Sequence, residues 1–447
     1  MLYQLFKWLF YLTVKGYFRS IYIKGADQIP NSGPVIFVAN HNSAFMDPIL
    51  LAVHLKRTLY FLARGESFKH KLISWIFKRF NMIPIYRPDI TPEEIYKNEE
   101  VFQSCFDYLK AGKSIMIFPE GISKTERKLR KIKTGAARIA LGTESQNSFQ
   151  INLKIIPIGI NYTNPHHFRS HVFINIGSPI KVSDFNRVYD ENSKQAVIQL
   201  TAKIKKSLEN LVVIAESERL DKLTKQIELL YSSELNDVND LDDSAVQKFS
   251  LSKEIVKAVA YNLNKRPKET SEFEIKINSY LKGLERIKLR DKNFGPVKIR
   301  LQFWSNFIYF TLGFPLFFYG YVLNIIPYRI SEFLSKKIVV RKDFVGSMKV
   351  AFGMFIFLLF YGIETILFAM YIHKVYAFVF LFSLYPAGLF TLNYIKNFYL
   401  FKEKARYYQL NLNQHKLIFK LKRKRKELLD ELEIGNKLYL KALKKET

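Results

Sequence analysis

Cysteine is nearly absent. Cys105 alone occurs in 447 residues, so no intramolecular disulfide can form, and an intracellular, reducing setting is the simplest expectation. Acidic charge is scarce too. Lysine and arginine number 69 against 40 acids, a net charge of +29, which points to an anionic partner: nucleic acid, a phosphorylated substrate or acidic lipid headgroups. Neither the G-x-x-x-x-G-K-[S/T] loop nor the G-x-G-x-x-G fingerprint occurs, which sets aside nucleotide hydrolysis and dinucleotide redox chemistry. Repeats and low-complexity tracts are missing. The apolar N-terminus, "MLYQLFKWLFYLTVKGYFRS", has no small-residue cleavage site after it and is interrupted by Lys7 and Lys15, so it does not read as a secretory signal.

What is present is hydrophobic and aromatic. A composition that is 48% hydrophobic over this length supports one catalytic-sized domain plus further modules and excludes a disordered chain. In residues 1–30, Gln4, Lys7, Lys15 and Arg19 fall on one narrow helical arc, and Leu2, Phe6, Trp8, Leu9, Phe10 and Leu12 spread over the rest. That pattern predicts a helix lying in a membrane interface, with a core helix of the following domain as the alternative.

Residues 31–212 alternate β-type runs, "PVIFVAN", "TLYFLAR", "MIPIYR", "SIMIFPEG", "KIIPIGINY" and "HVFINIG", with helical stretches. Such alternation predicts an α/β layered domain around a mixed central sheet. Cys105, in the helix-like "VFQSCFDYL", reads as a buried thiol. Residues 213–300 are charged and periodic at 3.6, a helical region with an acidic turn near Asn236 to Asp243.

A membrane region follows at 301–400, with apolar segments at about 303–326, 345–372 and 375–395, each long enough to span a bilayer. Arg329, Lys336, Lys337, Arg341 and Lys342 precede the second segment, and Lys396, Lys402, Lys404 and Arg406 follow the third. By the positive-inside rule these two form a transmembrane hairpin, about 345–395, with both flanks cytoplasmic. Gly313 and Pro315 interrupt the first segment, which is expected to be broken, re-entrant or interfacial. Glu364, inside the second segment, is expected to face protein or a polar cavity. Residues 401–447, with "KLKRKRKELLDELE", read as a basic helical tail on anionic headgroups, and nucleic acid is not the expected partner.

The chemistry-bearing residues stand at strand ends. "FVANHNSAFMDPILL" carries His41 and Asp47; "MIPIYRP" carries Arg87; "IFPEGISK" carries Glu120, Gly121 and Lys124; "KTGAARIAL" carries Lys133, Gly135 and Arg138; "IIPIGINY" carries Pro157. In an open α/β sheet, loops at strand ends converge on one crevice. A neutral imidazole can take the proton of an alcohol attacking a thioester carbonyl, and a carboxylate on its other nitrogen fixes tautomer and orientation. His41 is thus the candidate general base and Asp47 its orienter. His166, His167 and His171 have a metal-like spacing, but no nearby carboxylate or thiolate completes a set, so no metal is expected.

Taken together and in order, these blocks, over about residues 31–185, resemble the glycerolipid acyltransferase family, which makes phosphatidic acid and related lipids. Most of that family has four residues between the His and the Asp; here five, Asn42 to Met46, intervene. The longer spacing, "NPHHFRSHVFINIGSPI" and the hydrophobic C-terminal region are similar to the branch of fungal glycerol-3-phosphate and dihydroxyacetone-phosphate acyltransferases. The resemblance implies an acyl thioester donor, acyl-CoA or acyl-carrier protein, as co-substrate and no cofactor. It implies a phosphorylated glycerol acceptor, glycerol-3-phosphate or 1-acylglycerol-3-phosphate, whose phosphate Arg87 and Lys124 would hold. Glu120 and Gly121 would shape the acceptor pocket, with Pro157 as a further pocket residue. The expectation is an integral membrane enzyme with its catalytic domain on the cytoplasmic side. A basic membrane scaffold that keeps the fold without catalysis is the alternative.

Overall fold

A computed structural model describes residues 2–86, 90, 92–231, 241–294 and 303–446. Arg87 and most of the expected acidic turn lie outside them; Leu241–Asp243 of that turn begin a helix. The chain divides into two compact units, one of Met1–Val212 with Arg329–Ile356, the other of Val213–Tyr328 with Phe357–Thr447.

The first unit is built on an eight-stranded mixed sheet. All six β-type runs are strands: β2 (Val35–Ala39), β3 (Leu59–Arg64), β4 (Met82–Ile85), β5 (Ser114–Ile117), β6 (Lys154–Tyr162) and β7 (His171–Ile176). Two more, β1 (Ser20–Lys24) and β8 (Ile180–Lys181), complete it. The order is β1-β7-β6-β2-β5-β3-β4, with β8 also paired to β6. β7 and β8 run antiparallel to β6, and the remaining pairings are parallel. All five residues of β2 are buried, as expected of a central parallel strand covered on both faces, whose sequence is a continuous apolar run.

Alternate residues feed two cores. Ile36, Val38, Ile115 and Ile155 pack with α4 (Asn98–Lys110), α5 (Gly135–Ser145) and α7 (Ser193–Leu211). Phe37, Ala39, Met116 and Ile158 pack with α2 (Met46–His54) and the end of α1 (Leu2–Tyr17). Cys105 is fully buried in the first of these cores, and burial pushes its thiol up to about 12, so it is a packing residue. α1 buries Val14 and Tyr17, and Phe18 follows them into the core, while Leu5 and Trp8 stay exposed. α3 (Lys71–Arg79) buries nothing: Leu72, Trp75 and Ile76 face outward beside Lys71, Lys78 and Arg79.

In the second unit, α8 (Glu218–Tyr231), α9 (Leu241–Lys265) and α10 (Pro267–Arg286) share a core with α14 (His415–Glu446). α14 contributes Ile418, Leu421 and Leu428, together with Arg425, which is buried against Asp291. One stripe of the basic tail is therefore bundle interior.

Three described helices are long and apolar enough to cross a membrane: α11 (Phe303–Ile338), from Trp304 onward, α12 (Lys342–Tyr371) and α13 (Ala377–Asn413). α11 runs unbroken through Gly313 and Pro315, where the sequence suggests an interruption, and on through Pro327. A proline removes one helical N–H, and in apolar helices local adjustment and neighbouring side chains absorb that loss. Gly320 lets α11 approach α13: a Cβ there would stand 2.4 Å from the Ala387 carbonyl oxygen.

Candidate active site

β2 ends at Ala39, and the buried side chain of Asn40 extends its pairing. Its Nδ2 donates to the Ile160 carbonyl at 3.0 Å and its Oδ1 accepts from the Ile160 N–H at 2.7 Å. This imitation of a backbone pair holds β2 to β6 as the chain leaves the sheet, and His41 is the next residue out. Asp47 follows in the first turn of α2, where the helix dipole favours a negative charge. The five-residue turn brings the two together: His41 Nδ1 is 2.8 Å from Asp47 Oδ2.

Asp47 is fully buried, whereas the His41 side chain keeps 18% of its exposure. A buried carboxylate needs donors on both oxygens. Oδ2 also accepts from the Ser43 N–H at 2.8 Å, and Oδ1 accepts from the Tyr162 hydroxyl at 2.7 Å. All three partners donate, so the His41 proton sits on Nδ1 and Nε2 carries the free lone pair. Burial and the Asp47 carboxylate hold the Tyr162 phenol well above its usual range, which keeps it a donor. The imidazole stacks on Phe118, ring centroids 4.3 Å apart at 22°, which further limits its orientation.

Glu120 joins two loops. Its Oε1 accepts from the His41 N–H at 2.8 Å and its Oε2 from the Arg130 N–H at 3.1 Å. Burial raises its carboxyl above the ordinary value, and the two N–H groups oppose that shift. Gly121 has φ +71°, a left-handed conformation natural to glycine. A Cβ there would stand 3.1 to 3.3 Å from the Lys133 side chain, so Lys133 lies across the "FPEG" turn. Lys124 reaches His41 through its backbone: its N–H donates to the His41 carbonyl at 3.1 Å. Its side chain is 61% exposed and its ammonium pairs with Glu126, which also holds Arg130.

The structure thus gathers His41, Asp47, Glu120, Gly121, Lys124 and Lys133 around one turn. Pro157 is elsewhere, buried inside β6 opposite Val38. It lies between the β6 residues paired to β7 and those paired to β8, where a missing N–H costs no ladder bond. Arg138 stacks over Phe102 at 5.1 Å. His166, His167 and His171 each take a separate partner, Thr125, the Phe168 carbonyl and Ser20.

Several supporting residues escaped the sequence reading. Tyr162 closes "KIIPIGINY", and only the adjacency of β6 and β2 brings it to Asp47. The first turns of α12 pack on the turn that carries His41 and Asp47. Ser347 is fully buried; its Oγ accepts from the Met46 N–H at 2.9 Å and donates to the Ser43 carbonyl at 3.3 Å. Asp343 accepts from Ser123 Oγ at 2.5 Å, and Arg341 donates to the Ser123 carbonyl at 3.2 Å. No local pattern marks these residues: Ser347 is about 300 positions from the turn it holds, and Asp343 and Arg341 about 220 from Ser123.

Residues 20–161 match the family model described as Acyltransferase. Glycerol-3-phosphate O-acyltransferase 1 of Saccharomyces cerevisiae is 26% identical over 322 residues, 53% of this chain and 42% of that protein. The 1-acyl-sn-glycerol-3-phosphate acyltransferase of Streptococcus pneumoniae is 27% identical over 207 residues, 45% of this chain and 66% of that one. Chloroplastic LPAT1 of Arabidopsis thaliana, likewise a 1-acyl-sn-glycerol-3-phosphate acyltransferase, is 29% identical over 127 residues, 28% of this chain and 34% of that one. The chain therefore spans about two fifths of the yeast relative's length. The matched stretch, residues 20–161, holds β1 to β5, nearly all of β6, the His41–Asp47 pair and the "FPEG" turn, so this part of the chain is similar to the acyltransferase family.

Proposed function

We propose that the protein is a membrane-bound O-acyltransferase. It moves a fatty acyl group from acyl-CoA or acyl-carrier protein to a hydroxyl of glycerol-3-phosphate or 1-acylglycerol-3-phosphate. The observation that carries this reading is the pairing of a partly exposed imidazole with a fully buried carboxylate at 2.8 Å, in a segment matched by the acyltransferase model.

His41 Nε2 takes the proton of the acceptor hydroxyl as its oxygen attacks the thioester carbonyl. The new C–O bond forms, the tetrahedral adduct collapses, and the C–S bond breaks. The thiolate leaves with the proton that His41 returns. Asp47 holds the tautomer throughout and stabilises the transient imidazolium. No enzyme nucleophile is needed, in keeping with a buried, neutral Cys105. The acceptor phosphate falls to Arg87 and Lys124 by family resemblance. A guanidinium fork and an ammonium suit phosphate oxygens, and the nearness of the Lys133 side chain to Gly121 supports a further cation in the same role.

The donor and the product both carry acyl chains, so the crevice works at a bilayer. α11, α12 and α13 anchor the chain, and the exposed apolar residues of α1 and α3, Leu5, Trp8, Leu72 and Trp75, press the catalytic unit onto the leaflet beside the cations of α3. The catalytic unit faces the cytoplasm. The intact site speaks against a scaffold that has lost catalysis.

The test is acyl transfer by the purified full chain in vesicles, offering both donors and both acceptors, with products identified by mass spectrometry. Wild type forms the acylated product and His41→Ala does not. Equal activity in the two proteins, or no product from any combination, refutes the reading.

A further inference from the structure

The second unit holds a groove of ≈ 690 Å³ between α10 and α14, bordered by α8. Five cations line it, Lys222, Lys282, Arg286, Lys420 and Lys424, and among the described residues no aspartate or glutamate does. Elsewhere on these helices several cations are paired: Arg219 with Glu274, Lys225 with Asp221, Lys276 with Glu431 and Arg425 with Asp291. None of the five has an ion pair among the described residues; Lys424 donates only to Ser279 Oγ, at 3.3 Å.

The spacing makes this a built groove. Ser279, Lys282 and Arg286 recur at three and four residues along one face of α10, as do Leu417, Lys420, Leu421 and Lys424 on α14. Gly283 lets α10 and α14 approach along the groove, since a Cβ there would stand 3.3 Å from Leu421. The charged walls and the Ser279 hydroxyl all offer donors, so the ligand is an anion. Among the described residues no aromatic ring lines the groove on which a nucleobase could stack. α14 continues from α13, one of the helices apolar enough to cross a membrane, with Gln414 alone between them.

We propose that this groove binds the phosphomonoester headgroup of an anionic membrane lipid. A phosphomonoester carries about −1.5 to −2 charge at neutral pH and three acceptor oxygens, whereas a phosphodiester carries a single negative charge. Five cations without a local acid favour the former. The site is independent of the catalytic reading, because it lies outside residues 20–161 and involves none of the His41 constellation.

The experiment measures binding of dioctanoyl phosphatidylinositol 4-phosphate to the purified full chain in neutral detergent, by native mass spectrometry. Dioctanoyl phosphatidylserine is the phosphodiester comparison and inositol trisphosphate the free-phosphate comparison. The triple variant Lys282→Gln, Arg286→Gln, Lys424→Gln is expected to bind the monoester lipid at least tenfold more weakly. Lys441→Gln, Lys444→Gln, Lys445→Gln, with the same charge change elsewhere on α14, is expected to bind it as wild type does. Lys282→Arg with Lys424→Arg should retain binding, which separates lost contacts from lost folding. The proposal is overturned if the two triple variants weaken binding equally, if phosphatidylserine binds as tightly as the monoester lipid, or if free inositol trisphosphate binds as tightly as the lipid. Because the probe is not an acyl acceptor, failure here leaves the catalytic reading untouched, and the reverse also holds.

Discussion

Replacing Asp47 with asparagine separates two tasks that this carboxylate performs. Its Oδ2 accepts from both His41 Nδ1 and the Ser43 N–H, each at 2.8 Å, while Oδ1 faces the Tyr162 hydroxyl at 2.7 Å. An asparagine oxygen therefore belongs at the Oδ2 position, because an amide turned the other way would set its N–H against that of Ser43. In that orientation the His41 tautomer survives, the new NH₂ points at Tyr162, and the tyrosine hydroxyl turns from donor to acceptor. What disappears is the charge that stabilises the imidazolium. At a charge separation of about 4 Å and an effective dielectric near 20, that attraction is about 4 kcal/mol, or roughly 10³ in rate. Asp47→Asn should thus lower kcat by about 10² to 10³ with little change in acceptor KM, and His41→Ala should lower it further. The assay is steady-state acyl transfer by variants shown to be folded by their melting curves. A kcat within tenfold of wild type would refute the electrostatic role. A loss as deep as that of His41→Ala would refute the claim that Ser43 preserves the tautomer.

Tyr162→Phe leaves a buried carboxylate oxygen without its donor, so it should destabilise the first unit by about 1.5 to 3 kcal/mol, read from chemical denaturation, and reduce kcat less than Asp47→Asn does. Ser347→Ala removes a side chain that bonds both ends of the Ser43–Met46 turn; about 1 kcal/mol of stability and a several-fold drop in kcat are expected, with donor KM unchanged. Gly121→Ala forces a side chain into the left-handed region and should cost about 1 to 2 kcal/mol, visible as a lower melting temperature. Burial and the neighbouring Arg290 lower the Lys292 ammonium to about 8. The folded chain therefore releases this proton before the unfolded one does, and stability should rise with pH between about 8 and 10.5. Lys292→Met should abolish that rise in melting curves recorded across the window.

The six β-type runs and the convergence of strand-end blocks were legible in the sequence because a central parallel strand buried on both faces must be apolar throughout, and "PVIFVAN" and "SIMIFPEG" could hardly be anything else. His41 and Asp47 were legible because a turn of five residues keeps acid and base within reach of one another. β1 was not, since Ser20–Lys24 is a sheet-edge strand whose partner, β7, is about 150 residues away. Nor was the task of Glu120: a carboxylate beside a glycine suggests a pocket wall, and only the approach of the 41 and 130 loops turns it into a tie between backbones. Composition and periodicity alone determined that the chain has an α/β domain, a helical region and helices apolar enough for a bilayer, because burial on a face or in lipid imprints itself residue by residue. Tertiary structure alone decided that Tyr162 and Ser347 buttress the His41–Asp47 turn and that five cations with no ion pair among the described residues gather along one groove. Those contacts join segments far apart in sequence, and no local pattern records which distant donor a buried oxygen will find.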